Sequence, residues 1–108
     1  MVGHRRSHAK KRDENEGPIV DALRRIGAKV YLLDGKGGIP DLIVGFQGRT
    51  VLMEVKQEWT PRIRTNRNAG RGGLDPDQFD FHQGWTGGPC VVVTTVDEAL
   101  AAAQRRTA

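Results

Sequence analysis

The chain of 108 residues holds a single cysteine, Cys90, so no disulfide framework and no cysteine-built metal site can form within one chain. Cys90 stands in the apolar run Cys90-Val-Val-Val93 and reads as a buried small hydrophobe. No apolar run is long enough to span a membrane, and the basic N-terminus has no apolar h-region of a secretory signal. A cytoplasmic, intracellular protein without a membrane partner is the expectation. Apolar content is only 37%, low for a compact globule, which predicts disordered stretches beside one small domain. No internal repeat is visible. The glycine cluster Asp34-Gly-Lys-Gly-Gly38 joins two strands and lacks the Gly-Lys-Ser/Thr ending of a phosphate loop.

Charge is present in excess of one sign. The formal net charge is +4 and the pI about 9.7. Residues 1–12 carry Arg5, Arg6, Lys10, Lys11 and Arg12 with no acid, and read as a flexible basic arm. His4 and His8 stand four apart in this arm, with no further ligand near them in sequence. Residues 57–73 lack periodicity and carry Arg62, Arg64, Arg67 and Arg71, the pattern of a mobile Arg/Gly-rich loop. Trp59 within it either stacks on a base or anchors the loop. Two such segments fit the electrostatic footprint for a polyanion, and equally a pair of solubilising stretches.

The remaining residues, 13–105, read as one domain. Ile19, Ala22, Leu23 and Ile26 form a helical apolar stripe that ends at Gly27. Its start has two readings: Asp13 and Glu16 fit a capping box, whereas Pro18 favours a regular helix beginning at Gly17-Pro18. Either way Glu16 projects near the face that packs on the sheet. Residues 28–33 form a strand, and a hairpin follows around Gln47-Gly48. Asp75, Pro76 and Gln78 start a second helix that runs to about Trp85, with His82 on the same face as Gln78. Residues 90–95 predict a strand buried on both faces, and Thr95 with Glu98 starts a last helix to about Arg105. The order is that of an α/β sandwich around a mixed four-stranded sheet.

The most informative residues flank the hairpin. A turn at Gln47-Gly48 pairs Phe46 with Arg49, Ile43 with Leu52 and Asp41 with Glu54. The two carboxylates then face each other across an antiparallel pair, with Cβ atoms ~5 Å apart. Lys56 shares the face of Glu54 by strand parity. Facing like charges destabilise a sheet unless compensated, and a hard divalent cation with oxygen ligands is a natural compensation. The plain alternative is a polar solvent face on an ordinary hairpin.

Taken with the element order, these stretches resemble the PD-(D/E)xK nuclease superfamily, and most of all its small stand-alone VRR-NUC-type proteins, often found in phages. The similarity rests on Asn15-Glu16, Gly38-Ile-Pro-Asp41 through Gly45, Leu52-Met-Glu-Val-Lys56, Leu74-Asp-Pro-Asp-Gln78, Phe81-His-Gln-Gly-Trp85 and Val96-Asp-Glu-Ala-Leu100, over about residues 12–104. The resemblance implies a restriction-endonuclease-like α-β-β-β-α-β(-α) fold and a metal-dependent DNA endonuclease. It implies that Asp41, Glu54, the Val55 carbonyl and Glu16 hold Mg²⁺ or Mn²⁺, that Lys56 orients or deprotonates the attacking water, and that Gln78 supports it. Branched DNA such as a Holliday junction, cut by a homodimer, is the substrate the resemblance implies. Arg62, Arg64, Arg67, Arg71 and Lys36 are the candidate DNA contacts. Two other readings stand beside it: a nucleic-acid-binding module without catalysis, and an accessory subunit of a phage DNA-processing complex.

Overall fold

In a computed structural model, residues 12–57 and 73–105 are described. Helix α1 (Glu16–Arg25) leads into strand β1 (Lys29–Leu32), a short 3-10 turn (Lys36–Gly38), and strands β2 (Leu42–Phe46) and β3 (Arg49–Val55). Helix α2 (Pro76–Gly84), strand β4 (Cys90–Val93) and helix α3 (Val96–Gln104) follow. The sheet has the order β1-β2-β3-β4, with β1, β2 and β3 antiparallel in sequence and β4 parallel to β3. It is the expected α/β sandwich on a mixed four-stranded sheet. No helix among the described residues is long and apolar enough to cross a membrane.

The hairpin register is the one the turn dictates: Phe46 faces Arg49, Ile43 faces Leu52 and Leu42 faces Met53. Gln47 and Gly48 both take positive φ, 48° and 82°, the geometry whose twist matches the two strands it joins. Alternation then divides the sheet. Val30, Leu42, Val44, Val51, Met53, Val55 and Val93 are buried in one core with Ile19, Leu23, Ala99 and Ala103 of α1 and α3. Leu52, Glu54 and Lys56 occupy the other parity, and Asp41 lies one residue before β2.

Helix α1 begins at Glu16, between the two expected starts, and the Asp13–Glu16 capping box does not form. Asn15 is its N-cap but makes no side-chain cap bond, and the third helical position is Pro18, which has no N–H to offer. The helix ends in a Schellman motif: Ala28 N–H donates to Leu23 O and Gly27 N–H to Arg24 O, both at 3.0 Å, with Gly27 at φ 99°. At α2 the expected capping box is complete, Asp75 with Gln78. At α3 it is altered: Thr95 Oγ1 accepts Glu98 N–H, but Glu98 Oε1 takes the N–H of Thr94, one residue upstream of the cap.

Strand β4 corrects an expectation. Its apolar run suggested burial on both faces, yet it is an edge strand with Val92 38% exposed, and only Val93 is fully buried. Helices α1 and α3 cover one face of the sheet, so a continuous run of valines is needed on one side only. Cys90 is correspondingly half-buried, not fully buried.

Gly38 ties the 3-10 turn to α2. It has φ 84°, and a Cβ placed there would lie 2.2 Å from Asp77 O. Only glycine lets the two backbones approach this closely. The contact places the first turn of α2, and Gln78 with it, beside the ends of β2 and β3.

Candidate metal centre

Three carboxylates are nearly sealed from solvent: Glu16 and Asp41 at 3% exposure and Glu54 at 2%. Burying a carboxylate is costly unless it is paired or hydrogen-bonded, so the partners of each define the site. Asp41 stands one step beyond the last β2–β3 pair, where the register sets it opposite Glu54. Its Oδ2 accepts Val55 N–H at 2.8 Å, and its backbone carbonyl accepts Leu33 N–H at 2.7 Å. Glu54 Oε2 accepts from Gln78 Nε2 at 3.1 Å and lies 3.9 Å from Lys56 Nζ. Lys56 Nζ in turn donates to Gln78 Oε1 at 2.8 Å. Lys56 therefore lies on the face of Glu54, as parity requires, and Gln78 bridges the two while still completing its capping box.

Glu16 enters from α1. Its partner is Arg12, whose Nη1 lies 3.1 Å from Oε2 and 3.4 Å from Oε1. The same Nη1 is 3.9 Å from Asp41 Oδ1, and Nη2 donates to Leu33 O at 2.6 Å. By its charge run Arg12 belongs to the basic arm. Its spacing of four residues from Glu16 is the signal that it faces inward. Asn15 is a second residue to which the sequence assigns no contact. Its Nδ2 donates to Lys56 O at 2.8 Å and Thr94 O at 2.7 Å, tying the start of α1 to the ends of β3 and β4.

Carboxylate oxygens are the donors that a hard divalent cation takes, and two of the three carboxylates, Glu16 and Asp41, stand beside the Arg12 guanidinium. Among the described residues, no three His, Cys, Asp or Glu side chains stand together as a ready metal cluster. Glu16 and Asp41 are turned to Arg12, and Glu54 to Gln78 and Lys56.

His82 lies one turn beyond Gln78 and is half-buried. Its Nδ1 is 3.7 Å from Cys90 Sγ, and Nε2 is sealed from solvent without a hydrogen-bond partner among the described residues. Burial, and then the nearby Lys56 charge, hold its pKa below the usual histidine value. Burial, and then the Glu54 carboxylate, push the Cys90 thiol up. His82 thus lies on the face of Gln78, half-buried between α2 and Cys90.

Lys36 is exposed on the 3-10 turn, with its backbone N–H donating to Asp34 Oδ1. Arg62, Arg64, Arg67, Arg71, Trp59 and the histidines of the arm lie outside the described residues. A groove of about 680 Å³ lined by Gln47, Arg49 and Gln104 lies at the turn end of the hairpin, far along the strands from the carboxylates. No family model, curated protein or solved structure matches the chain.

Proposed function

We propose that the protein is a Mg²⁺- or Mn²⁺-dependent nuclease that hydrolyses phosphodiester bonds in DNA. The observation that carries this reading is the buried pair Asp41 and Glu54 at the open end of one hairpin, with Lys56 held on the same face by Gln78. Asp41, Glu54 and Glu16 would hold the cation, with the Val55 carbonyl adjacent. A bound divalent cation strengthens water as a nucleophile and stabilises charge on the phosphoryl transition state. Gln78 fixes the Lys56 ammonium, which leaves its other protons to orient water or a phosphate oxygen. Asn15 holds the Lys56 backbone from behind. Branched DNA, a homodimer and an intracellular setting belong to the same proposal, by resemblance alone. In a homodimer, two sites related by a two-fold axis would allow paired cuts.

One observation favours a second reading. Arg12 already pairs with Glu16 and stands 3.9 Å from Asp41, whose Oδ2 also accepts Val55 N–H, so the fold buries these acids with partners of its own. A module that binds nucleic acid without cutting it, alone or as an accessory subunit, is consistent with that pairing.

The test is a panel of linear, flapped and four-way DNA with Mg²⁺, Mn²⁺ or chelator, run beside Asp41→Asn and Lys56→Ala. Metal-dependent cleavage by the wild type, absent in both variants, is the expected result. Cleavage that persists in chelator or in both variants overturns the mechanism, and binding without cleavage favours the second reading. If Arg62, Arg64 and Arg67 touch phosphate, replacing them flattens the salt dependence of binding, by roughly one unit of slope for each phosphate no longer neutralised.

A further inference from the structure

We infer that Arg12 is a built-in counter-cation that competes with the divalent cation for Glu16 and Asp41, so that metal entry and Arg12 docking exclude each other. The inference rests on the metal-site reading above and adds a regulation of that site.

Three facts carry it. Arg12 reaches both oxygens of Glu16, at 3.1 and 3.4 Å, and approaches Asp41 Oδ1 at 3.9 Å. Those lone pairs are the ones a cation between the two acids would need. A Mg²⁺ ion bonds oxygen at ~2.0–2.1 Å, so a guanidinium nitrogen hydrogen-bonded to Glu16 and 3.9 Å from Asp41 would stand close against an ion held between them. Like charges at such range repel strongly where water is scarce.

The second fact is an asymmetry of burial. The Arg12 side chain is 27% exposed, whereas those of Glu16 and Asp41 are 4% exposed. Arg12 can swing its charge into water, but the carboxylates cannot follow. The third fact is position. Arg12 precedes the first residue of α1 and is held by its own side-chain contacts, the shortest of them to Leu33 O at 2.6 Å. No helical backbone has to break for it to leave.

The consequence is reciprocal. Without metal, Arg12 prevents the buried acids from standing uncompensated. Whatever factor Arg12 takes from metal affinity, metal takes from Arg12 docking. A carboxylate pair partly compensated in this way folds before it is loaded, and metal binds at the cost of displacing one arginine.

The test is calorimetric titration of Mn²⁺ into the full chain, for the wild type, Arg12→Ala and Arg12→Gln, with thermal melts in EDTA and in saturating Mn²⁺. Removing the guanidinium should tighten Mn²⁺ binding about tenfold or more. It should also lower the melting temperature in EDTA and enlarge the rise in melting temperature on adding Mn²⁺. Arg12→Gln keeps a donor for Leu33 O and carries the comparison if Arg12→Ala does not fold. Mn²⁺ binding by a folded variant that is no tighter than wild type overturns the competition, and leaves the metal-site reading standing. Absence of Mn²⁺ binding in all three proteins overturns both.

Discussion

Lys56 and Gln78 are joined by a 2.8 Å hydrogen bond from Nζ to Oε1, and that oxygen also accepts the Asp75 N–H at 3.0 Å. One amide thus serves a helix cap and a charged pair on the sheet, with its Nε2 turned to Glu54. Gln78→Ala removes all three bonds. It should cost about 1–2 kcal/mol in denaturant unfolding, the range for removal of a cap and a buried polar bond. Under the proposed mechanism single-turnover cleavage should fall about 10–100-fold, as for residues that orient a metal site. Gln78→Glu keeps the cap acceptors but sets a carboxylate against Glu54, and should abolish cleavage with a smaller drop in stability. An unchanged cleavage rate in both would reduce Gln78 to a capping residue.

Gly38 and Gly37 offer a paired comparison. Both have positive φ, 84° and 67°, but a Cβ on Gly37 meets nothing within 4 Å, whereas one on Gly38 strikes the Asp77 carbonyl. Gly37→Ala should cost about 1 kcal/mol from backbone conformation alone. Gly38→Ala should cost about 3 kcal/mol or more, because α2 must move away. Urea midpoints of the two variants check this, and equal midpoints would mean that α2 yields freely.

Asn15 donates from one nitrogen to Lys56 O and Thr94 O, and its Oδ1 is buried without a partner among the described residues. Asn15→Ala leaves two carbonyls unsatisfied and should destabilise by about 1–3 kcal/mol. Asn15→Asp should be worse than alanine, since a carboxylate would face two carbonyl oxygens. The ranking is read from chemical denaturation at about pH 7, where an aspartate is ionised. An Asp variant as stable as the wild type would show that these bonds contribute little.

His82 predicts a pH dependence. Its folded pKa is depressed, by burial first and Lys56 second. The unfolded chain therefore takes up a proton at about pH 6.5 that the folded chain resists, and stability falls as pH drops below that value. Above it both states are neutral at this position and the contribution is constant. His82→Gln should flatten the stability profile between about pH 6.5 and pH 5 relative to wild type. Parallel profiles would assign the slope to other groups.

The centre of the site was legible along the chain because local rules set it. A two-residue turn at Gln47-Gly48 determines the register, register determines that Asp41 opposes Glu54, and parity puts Lys56 beside Glu54. The capping box at Asp75 and Gln78 was equally local. Burial of β4 was misjudged because an apolar run is the same for a central strand and for an edge strand covered on one side. Whether Cys90 and Val92 are covered depends on which helices lie on which face, and that is a long-range fact.

The sequence by itself determined the element order, the hairpin register and the acid pair, since each follows from contacts a few residues apart. Only the tertiary structure decided which cation stands against those acids. Arg12 belonged by composition to a basic arm, yet it packs on Glu16, Asp41 and Leu33. It also decided that Asn15 turns its amide N–H groups to the Lys56 and Thr94 carbonyls rather than serving only its own helix. Buried charges must be answered by whatever partner the fold brings near, and the chain order does not say which partner that is.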